Sequence, residues 1–421
     1  MKFSSSRIRV IFFYVISLSI AFGMTTVLSA NLITNITTQK NLNLATNTTN
    51  STPETLHSLT PILPNLNMKG YVLMDVNSGA VIAEKNMNQR LQPASLTKLM
   101  TLYLTFQALK SKQIHLDDKV EVSVNAWKTV GSRMFLKEGS YVPVNSLIKG
   151  IIVASGNDAC VTVAQYIAGT EQTFVQMMNQ TAQRIGMKNS YYVDSTGLPN
   201  AHHYSTAYDM ALLTRALIKE FPEYYHFFSE KWLTYNNIKQ PSRNRLLWRD
   251  NSVDGLKTGY TKKSGYCLIA SAQRKRMRLI SVVLGALTDS DRMDNSEILL
   301  NYGFRFYQTQ RLFDAYTPIT QKRIWFGKKK YVAFGLANPL YVTFPTSDKK
   351  NLKATIQFLE SYLQAPLKEG QSYGVINITF NEKPIIAVSL IALQKDPIAS
   401  PLSRIWDHIA LFFKWIFNKT L

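Results

Sequence analysis

The chain has 421 residues, 46% hydrophobic and 18% charged, with a formal net charge of +21. That length predicts two or three domains, and the apolar content excludes a disordered chain. Excess lysine and arginine favour anionic surroundings, but no zinc-ligand spacing, RNP-like aromatic motif or basic helix accompanies them. The charge is therefore read as a solvated surface, and nucleic acid is excluded as a partner.

Lys2, Arg7 and Arg9 precede an apolar run over residues 10–28, and Ser29 and Ala30 offer small residues for cleavage before Asn31. Residues 1–30 are expected to be a secretory signal peptide, with an uncleaved anchor as the alternative. Either way the body of the chain is expected in an exported compartment. Residues 31–63, rich in Asn and Thr, are expected to be a flexible linker. Cys160 and Cys267 lie in apolar stretches and read as buried thiols, although spacing leaves a disulfide open.

Order is expected from residue 64. Short apolar runs at 70–74 and 80–84 flank a turn-rich segment and predict a β-hairpin. P-A-S-L-T-K-L at 93–99 opens the next helix, with Ser95 at its start as a cap. Leu99, Met100, Leu102, Tyr103, Phe106 and Leu109 continue it at helical spacing. Further helices are predicted over 144–154, 159–168, 174–185 (stopped by Gly186) and 206–220. Strands at 232–235, 265–273 and 278–286 and a closing helix at 296–306 complete an α/β unit over 64–311. Residues 312–397 carry short β runs between Pro, Gly and Asn turns, which predicts a small all-β, sandwich-like domain.

Residues 398–421 form the last unit. In 402–421, Ile405, Trp406, Ile409, Phe412, Phe413 and Ile416 share one arc of a helix, opposite Arg404, Asp407 and Lys414. Roughly 20 residues suffice to span a bilayer. Charges along one face favour a helix lying in the membrane interface, with a helix packed on the protein as the alternative.

Ser95 and Lys98 are three apart, which puts both side chains on one helical face. A serine at a helix N-terminus with an amine one turn along is a candidate nucleophile–base pair. The spacing alone is unspecific, since Ser146/Lys149 and Ser347/Lys350 share it. Two stretches downstream add what such a serine needs. Ser155-Gly156-Asn157 supplies a second hydroxyl and an amide. Lys257-Thr258-Gly259 supplies a cation, a hydroxyl and a glycine along which a substrate backbone can lie. S-x-N recurs at Ser123/Asn125 and Ser242/Asn244, whereas K-T-G occurs once. The specificity lies in the ordered triple.

That triple resembles the serine penicillin-recognising enzymes, and is most similar to the low-molecular-mass D-alanyl-D-alanine carboxypeptidases of the bacterial cell wall. S-G-N in place of S-D-N is the form usual in that branch. Y-S-T-A-Y-D-M at 204–210, R-N-R-L-L-W at 243–248 and G-Y-C-L-I-A-S at 265–271 agree, and the resemblance covers roughly residues 65–421. It implies an α/β, β-lactamase-like catalytic domain with a central sheet and a helical subdomain, then the small all-β domain and the amphipathic C-terminal helix.

The resemblance also implies the chemistry. Ser95 would attack a peptidoglycan pentapeptide stem ending in D-Ala-D-Ala and release the terminal D-alanine. β-Lactams would acylate the same serine. Lys98 would be the base, kept neutral by burial and by Lys257. Ser155 would relay a proton to the leaving D-alanine, and Asn157 would hold the substrate amide. The backbone N–H groups of Ser95 and Tyr260 would form the oxyanion hole. Lys257, Thr258, Gly259, Arg243 and Arg292 would bind substrate, the cations on its carboxylate. No cofactor or metal is called for. The implied location is the periplasmic face of the inner membrane, through residues 402–421.

Three rivals are weighed. A D,D-endopeptidase acting on cross-links uses the same motifs. A β-lactamase would need a carboxylate to activate the deacylating water, and the loop at 194–199 offers no Glu. A non-catalytic penicillin-binding scaffold is the rival of a different class. His202 and His203 are adjacent, point in different directions and lack a third ligand spacing, so they predict neither a histidine-dependent hydrolase nor a metal site.

Overall fold

The computed structural model describes residues 61–418. The expected signal peptide, residues 31–60 of the expected linker and residues 419–421 lie outside them.

Strands Gly70–Asp75 (β1) and Val81–Lys85 (β2) form the expected hairpin. Val253–Thr261 (β3), Gly265–Arg274 (β4) and Met277–Ala286 (β5) join it after the helical insert. The sheet order is β2-β1-β5-β4-β3, with every neighbouring pair antiparallel. The strand carrying K-T-G is thus an edge strand, which leaves one row of its backbone groups unpaired by any sheet neighbour.

The two-residue period of β1 splits its side chains between two cores. Val72 and Met74 face the larger core, with Lys98–Lys110 (α1), Asn157–Ala168 (α2), Glu171–Arg184 (α3) and Ala207–Glu220 (α4). Tyr71 and Leu73 face the other core, covered by Asp289–Phe306 (α5). Gly303 lets α5 lie close on the sheet: a Cβ there would come within 2.5 Å of Leu279 Cδ1. This helix starts well before the expected residue 296. Thr288 caps it by accepting from Asp291 N, and the Asp291 carboxylate accepts from the Thr288 N–H in return. The T-x-x-D box was legible in the sequence.

In the second domain, Thr320–Trp325, Tyr331–Gly335, Leu352–Phe358, Leu363–Gln364, Ser372–Phe380 and Lys383–Ala392 form a six-stranded sheet. Tyr307–Phe313 pairs with Leu340–Pro345 in a separate ribbon. Phe334, Phe344, Ile376 and Leu390 fill the core. The expected boundary at residue 311 falls inside Tyr307–Phe313. That strand was missed because Gln308, Thr309, Gln310 and Arg311 provide no apolar run. Its Thr309 donates to Asp75 Oδ2 at 2.8 Å, and Ser78 meets Thr343 at 2.6 Å, so the β1–β2 turn is hydrogen-bonded to the β domain.

The C-terminal helix Pro401–Asn418 (α6) turns Asp407 toward the β domain, where it accepts from Arg323 Nη2 at 3.0 Å and Phe326 N at 2.7 Å. Leu402, Ile405, Trp406, Phe412 and Phe413 are exposed. No helix among the described residues is long and apolar enough to cross a membrane.

Candidate active site

Pro93 leads into a 3-10 turn, Ala94–Thr97, and α1 begins only at Lys98. Ser95 therefore does not cap the helix, contrary to expectation. Its hydroxyl accepts from Lys98 Nζ at 3.1 Å instead. Ser95 is half-buried and reachable, while Lys98 is fully buried. Lys98 also donates to the Thr196 carbonyl at 2.7 Å.

The turn is held between two glycines. A Cβ on Gly259 would sit 3.0 Å from the Pro93 carbonyl oxygen and 3.2 Å from Ser95 N. Gly259 was expected to clear a path for substrate backbone, but its first requirement is room for the nucleophile turn on β3. On the other side Gly197, at φ +86°, brings its loop so close that a Cβ would fall 1.9 Å from the Ala94 carbonyl oxygen.

A second pair is built differently. The helix Val144–Lys149 passes into a π-turn, Gly150–Ala154, which ends at Ser155 with φ 59° and ψ 35°. Residues with a Cβ populate that left-handed region sparsely, and such outliers cluster at functional sites. It places Ser155 Oγ 2.9 Å from Lys257 Nζ, which also donates to the Thr258 carbonyl at 3.0 Å. The next residue must be small, because a Cβ on Gly156 would lie 2.8 Å from Asp158 Oδ1. Asp158, which sequence reasoning missed, is buried and accepts from the N–H groups of Met134 and Leu136 at 3.0 and 3.1 Å. Asn157 donates from Nδ2 to the Val130 carbonyl at 2.6 Å, and its buried Oδ1 has no partner.

Burial is the largest influence on both lysines and pushes both pKa values down. For Lys98, Cys160, Asp194 and Asp158 oppose that effect and Arg243 adds to it. Lys257 is pushed well below its ordinary value, with Lys98, Arg243 and Arg292 adding to burial. Two ammonium groups in so dry a site disfavour each other. Both lysines are thus depressed, with burial as the main cause in each.

The two arginines part company. Arg243 is exposed, and among the described residues it forms no ion pair. Arg292 is 6% exposed and corrects its expected role. Its Nη1 donates to the Gly259 and Cys267 carbonyls at 3.1 and 3.2 Å, and its Nη2 donates to Asp289. It braces the K-T-G strand from behind instead of facing substrate. Tyr260 is 52% exposed and lies on Tyr266 with ring centroids 4.3 Å apart. Thr258 is buried. Both cysteines are free and buried. Burial pushes the Cys160 thiol up to about 12 and Cys267 up to about 11.

The loop at 194–199 holds no Glu in its own sequence, as expected. Glu171, at the start of α3, nonetheless reaches it: Oε1 accepts from Ser195 N at 3.0 Å and Ser195 Oγ at 2.6 Å. This carboxylate is occupied in holding the loop. Asp194 holds it from within, accepting from Thr196 N, Thr196 Oγ1 and Gly197 N. No local signal marked Glu171, which lies 24 residues from Ser195.

The chain is similar to known proteins. The profile of the D-alanyl-D-alanine carboxypeptidase family matches residues 57–288, and that of the penicillin-binding protein 5 C-terminal domain matches 307–397. D-alanyl-D-alanine carboxypeptidase DacC of Escherichia coli is 44% identical over 360 residues, 84% of this chain and 90% of the relative. Penicillin-binding protein 5 from Haemophilus influenzae superposes with a TM-score of 0.78 at 40% identity, covering 81% of this chain and all of the other. Penicillin-binding protein D2 from Listeria monocytogenes, in its ampicillin-bound form, matches with a TM-score of 0.53 at 31% identity, covering 57% and 99%.

Proposed function

The chain belongs to the D-alanyl-D-alanine carboxypeptidase family and is a serine-type D-Ala-D-Ala carboxypeptidase, a hydrolase; from that premise we propose that it works through an acyl-enzyme on Ser95. The observation that carries this reading is the half-buried Ser95, whose hydroxyl lies 3.1 Å from the buried Lys98 amine, a group whose pKa burial lowers.

Ser95 Oγ attacks the carbonyl carbon of the terminal D-Ala–D-Ala bond and passes its proton to Lys98 Nζ. The oxyanion meets the backbone N–H groups of Ser95 and Tyr260. The C–N bond then breaks. Ser155 delivers its proton to the leaving amine and is resupplied by Lys257 at 2.9 Å. Asn157 Oδ1, buried and unpaired, accepts an N–H of the stem peptide. The free carboxylate of the terminal D-alanine lies against Lys257, Thr258 and Arg243. That negative charge stabilises the protonated form of Lys257, so Lys98 can be the neutral partner. Water then bonds to the acyl carbon and the C–O bond to Ser95 breaks; Lys98 returns its proton to Ser95 Oγ, and the proton lost by the water restores Lys257 through Ser155. A β-lactam acylates the same oxygen, a reading supported by the ampicillin-bound Listeria relative.

Two features support a proposed location. The apolar N-terminal run supports export. The exposed aromatic and aliphatic face of α6, over a β domain that grips its Asp407, supports peripheral anchoring at the periplasmic face of the inner membrane. The deciding experiment measures D-alanine release from a D-Ala-D-Ala pentapeptide by the wild type and Ser95→Ala. Equal rates would remove Ser95 from the mechanism. Fractionation of a chain lacking residues 402–421 tests the anchor, which fails if the truncated, signal-cleaved protein stays on membranes.

A further inference from the structure

The turn that carries Ser95 and the loop that receives Lys98 meet at one buried imidazole. His203 is 1% exposed, whereas His202 beside it is exposed. His203 Nε2 lies 2.9 Å from Thr97 Oγ1, and Nδ1 makes a longer contact of 3.4 Å with Asp194 Oδ2. The ring stands edge-on to Tyr192, centroids 5.6 Å apart, and the His203 N–H donates to the Asn200 carbonyl. We propose that His203 is a positioning residue for acylation, which sets the distance between Ser95 Oγ and Lys98 Nζ by joining Thr97 to Asp194.

The contacts close a circuit. Thr97 is fully buried and sits between Ser95 and Lys98 on the turn. From Thr97 the path crosses His203 to Asp194. Asp194 Oδ1 fixes Thr196 N, Thr196 Oγ1 and Gly197 N at 2.6–2.8 Å. The Thr196 carbonyl accepts from Lys98, and Lys98 donates to Ser95 on the turn where the path began. The Ser95–Lys98 bond is the only link in this circuit that the reaction must break and remake. Every other link holds its two ends in place. Thr101 adds a strut from α1 to the same loop, donating to the Ser195 carbonyl at 2.6 Å.

The circuit also carries charge. Burial would raise the Asp194 carboxyl, but His203, the Gly197 N–H and the Thr196 hydroxyl outweigh it and hold the group well below the ordinary carboxylate range. Asp194 is in turn one of the groups that favour the protonated form of Lys98, with Cys160 and Asp158; Arg243 opposes them. The imidazole stands between that carboxylate and the turn, and Asp194 is the charged group it contacts.

This proposal rests on Ser95 being the acylated residue. The test measures acylation of the full chain by a fluorescent penicillin. His203→Phe keeps the ring and removes both nitrogens. It should slow the second-order acylation rate by roughly 10–100-fold, the scale on which small misplacements of reacting groups act, while KM for a D-Ala-D-Ala peptide stays nearly unchanged. The acid limb of the rate should move to higher pH, because Asp194 then faces Lys98 without the imidazole. His203→Gln, which restores a polar group, should recover part of the rate. Thr97→Val should match His203→Phe, and the double variant should be no slower than either single one. A merely structural histidine would lower the melting temperature, leave the acid limb in place and give additive losses, and that result overturns the proposal. Wild-type labelling of His203→Phe beside an unlabelled Ser95→Ala overturns it while leaving the nucleophile intact. Labelling of Ser95→Ala overturns both. If His203→Phe does not fold, Thr97→Val and His203→Gln decide by the same criteria.

Discussion

Two serine–lysine hydrogen bonds lie side by side in this cleft, 3.1 Å for Ser95 and Lys98 and 2.9 Å for Ser155 and Lys257. The first joins neighbours on one turn of chain. The second joins residues 102 apart, a helix end and a sheet edge. Ser95 is half-buried in a 3-10 turn that opens on Ala94 at φ 50°, whereas Ser155 is 1% exposed and itself left-handed, at φ 59°. The pair types are identical, so residue chemistry does not say which serine is the nucleophile. Access does. Ser95, the proposed nucleophile, is the more reachable of the two, and Ser155, the proposed proton relay, is the more buried.

The largest effect should come from the reachable serine. Ser95→Ala should reduce D-alanine release by at least about 10⁴-fold, as removal of a nucleophile does elsewhere. An equal loss from Ser155→Ala would erase the distinction. Next, Lys98→Arg keeps a cation at the same place but one that cannot give up its proton. It should cost roughly 10³-fold, consistent with loss of general-base catalysis. In the wild type the Lys98 pKa is lowered from 10.5, so the acylation rate should rise as pH empties the amine and level off below that value. A rate still climbing beyond it would contradict the reading. Ser155→Gly should act twice. Turnover should fall about 10²-fold with loss of the relay. Thermal denaturation should show a gain near 1 kcal/mol, because glycine is at ease where Ser155 is strained. The smallest effect is expected outside both pairs. Arg243→Ala should raise KM about tenfold with little change in kcat, the scale of one charge-assisted hydrogen bond.

What the sequence revealed follows the same division. S-x-x-K, S-x-N and K-T-G are short linear strings, and local chain geometry brings each to the cleft nearly intact. The supports are not linear. Asp158, Glu171, Asp194 and His203 act on segments 22 to 106 residues away or through backbone atoms, and no periodicity announces them. The sequence raises His203 only for a histidine-dependent hydrolase or a metal site and supports neither, because a histidine gives no sign of which hydroxyl it will face. Arg292 differs: the resemblance implied a substrate cation, and only the fold shows its donors spent on the Gly259 and Cys267 carbonyls. The short helix before Lys98 belongs with these. The proline and serine announced a helix start, but they could not show that the first turn would be 3-10, with the serine free to face Lys98.

The glycines on either side of the nucleophile turn limit how this enzyme can change. A methyl group at Gly197 would overlap the Ala94 carbonyl, and one at Gly259 would press on Pro93 and Ser95. Selection for discrimination among acylating ligands therefore finds both walls of the serine's seat closed to substitution. No such steric bar applies at the rim, where Tyr260 and Arg243 are exposed. A population escaping an inhibitor of this protein would be expected to accumulate its changes there, altering how ligands approach while the serine keeps one geometry.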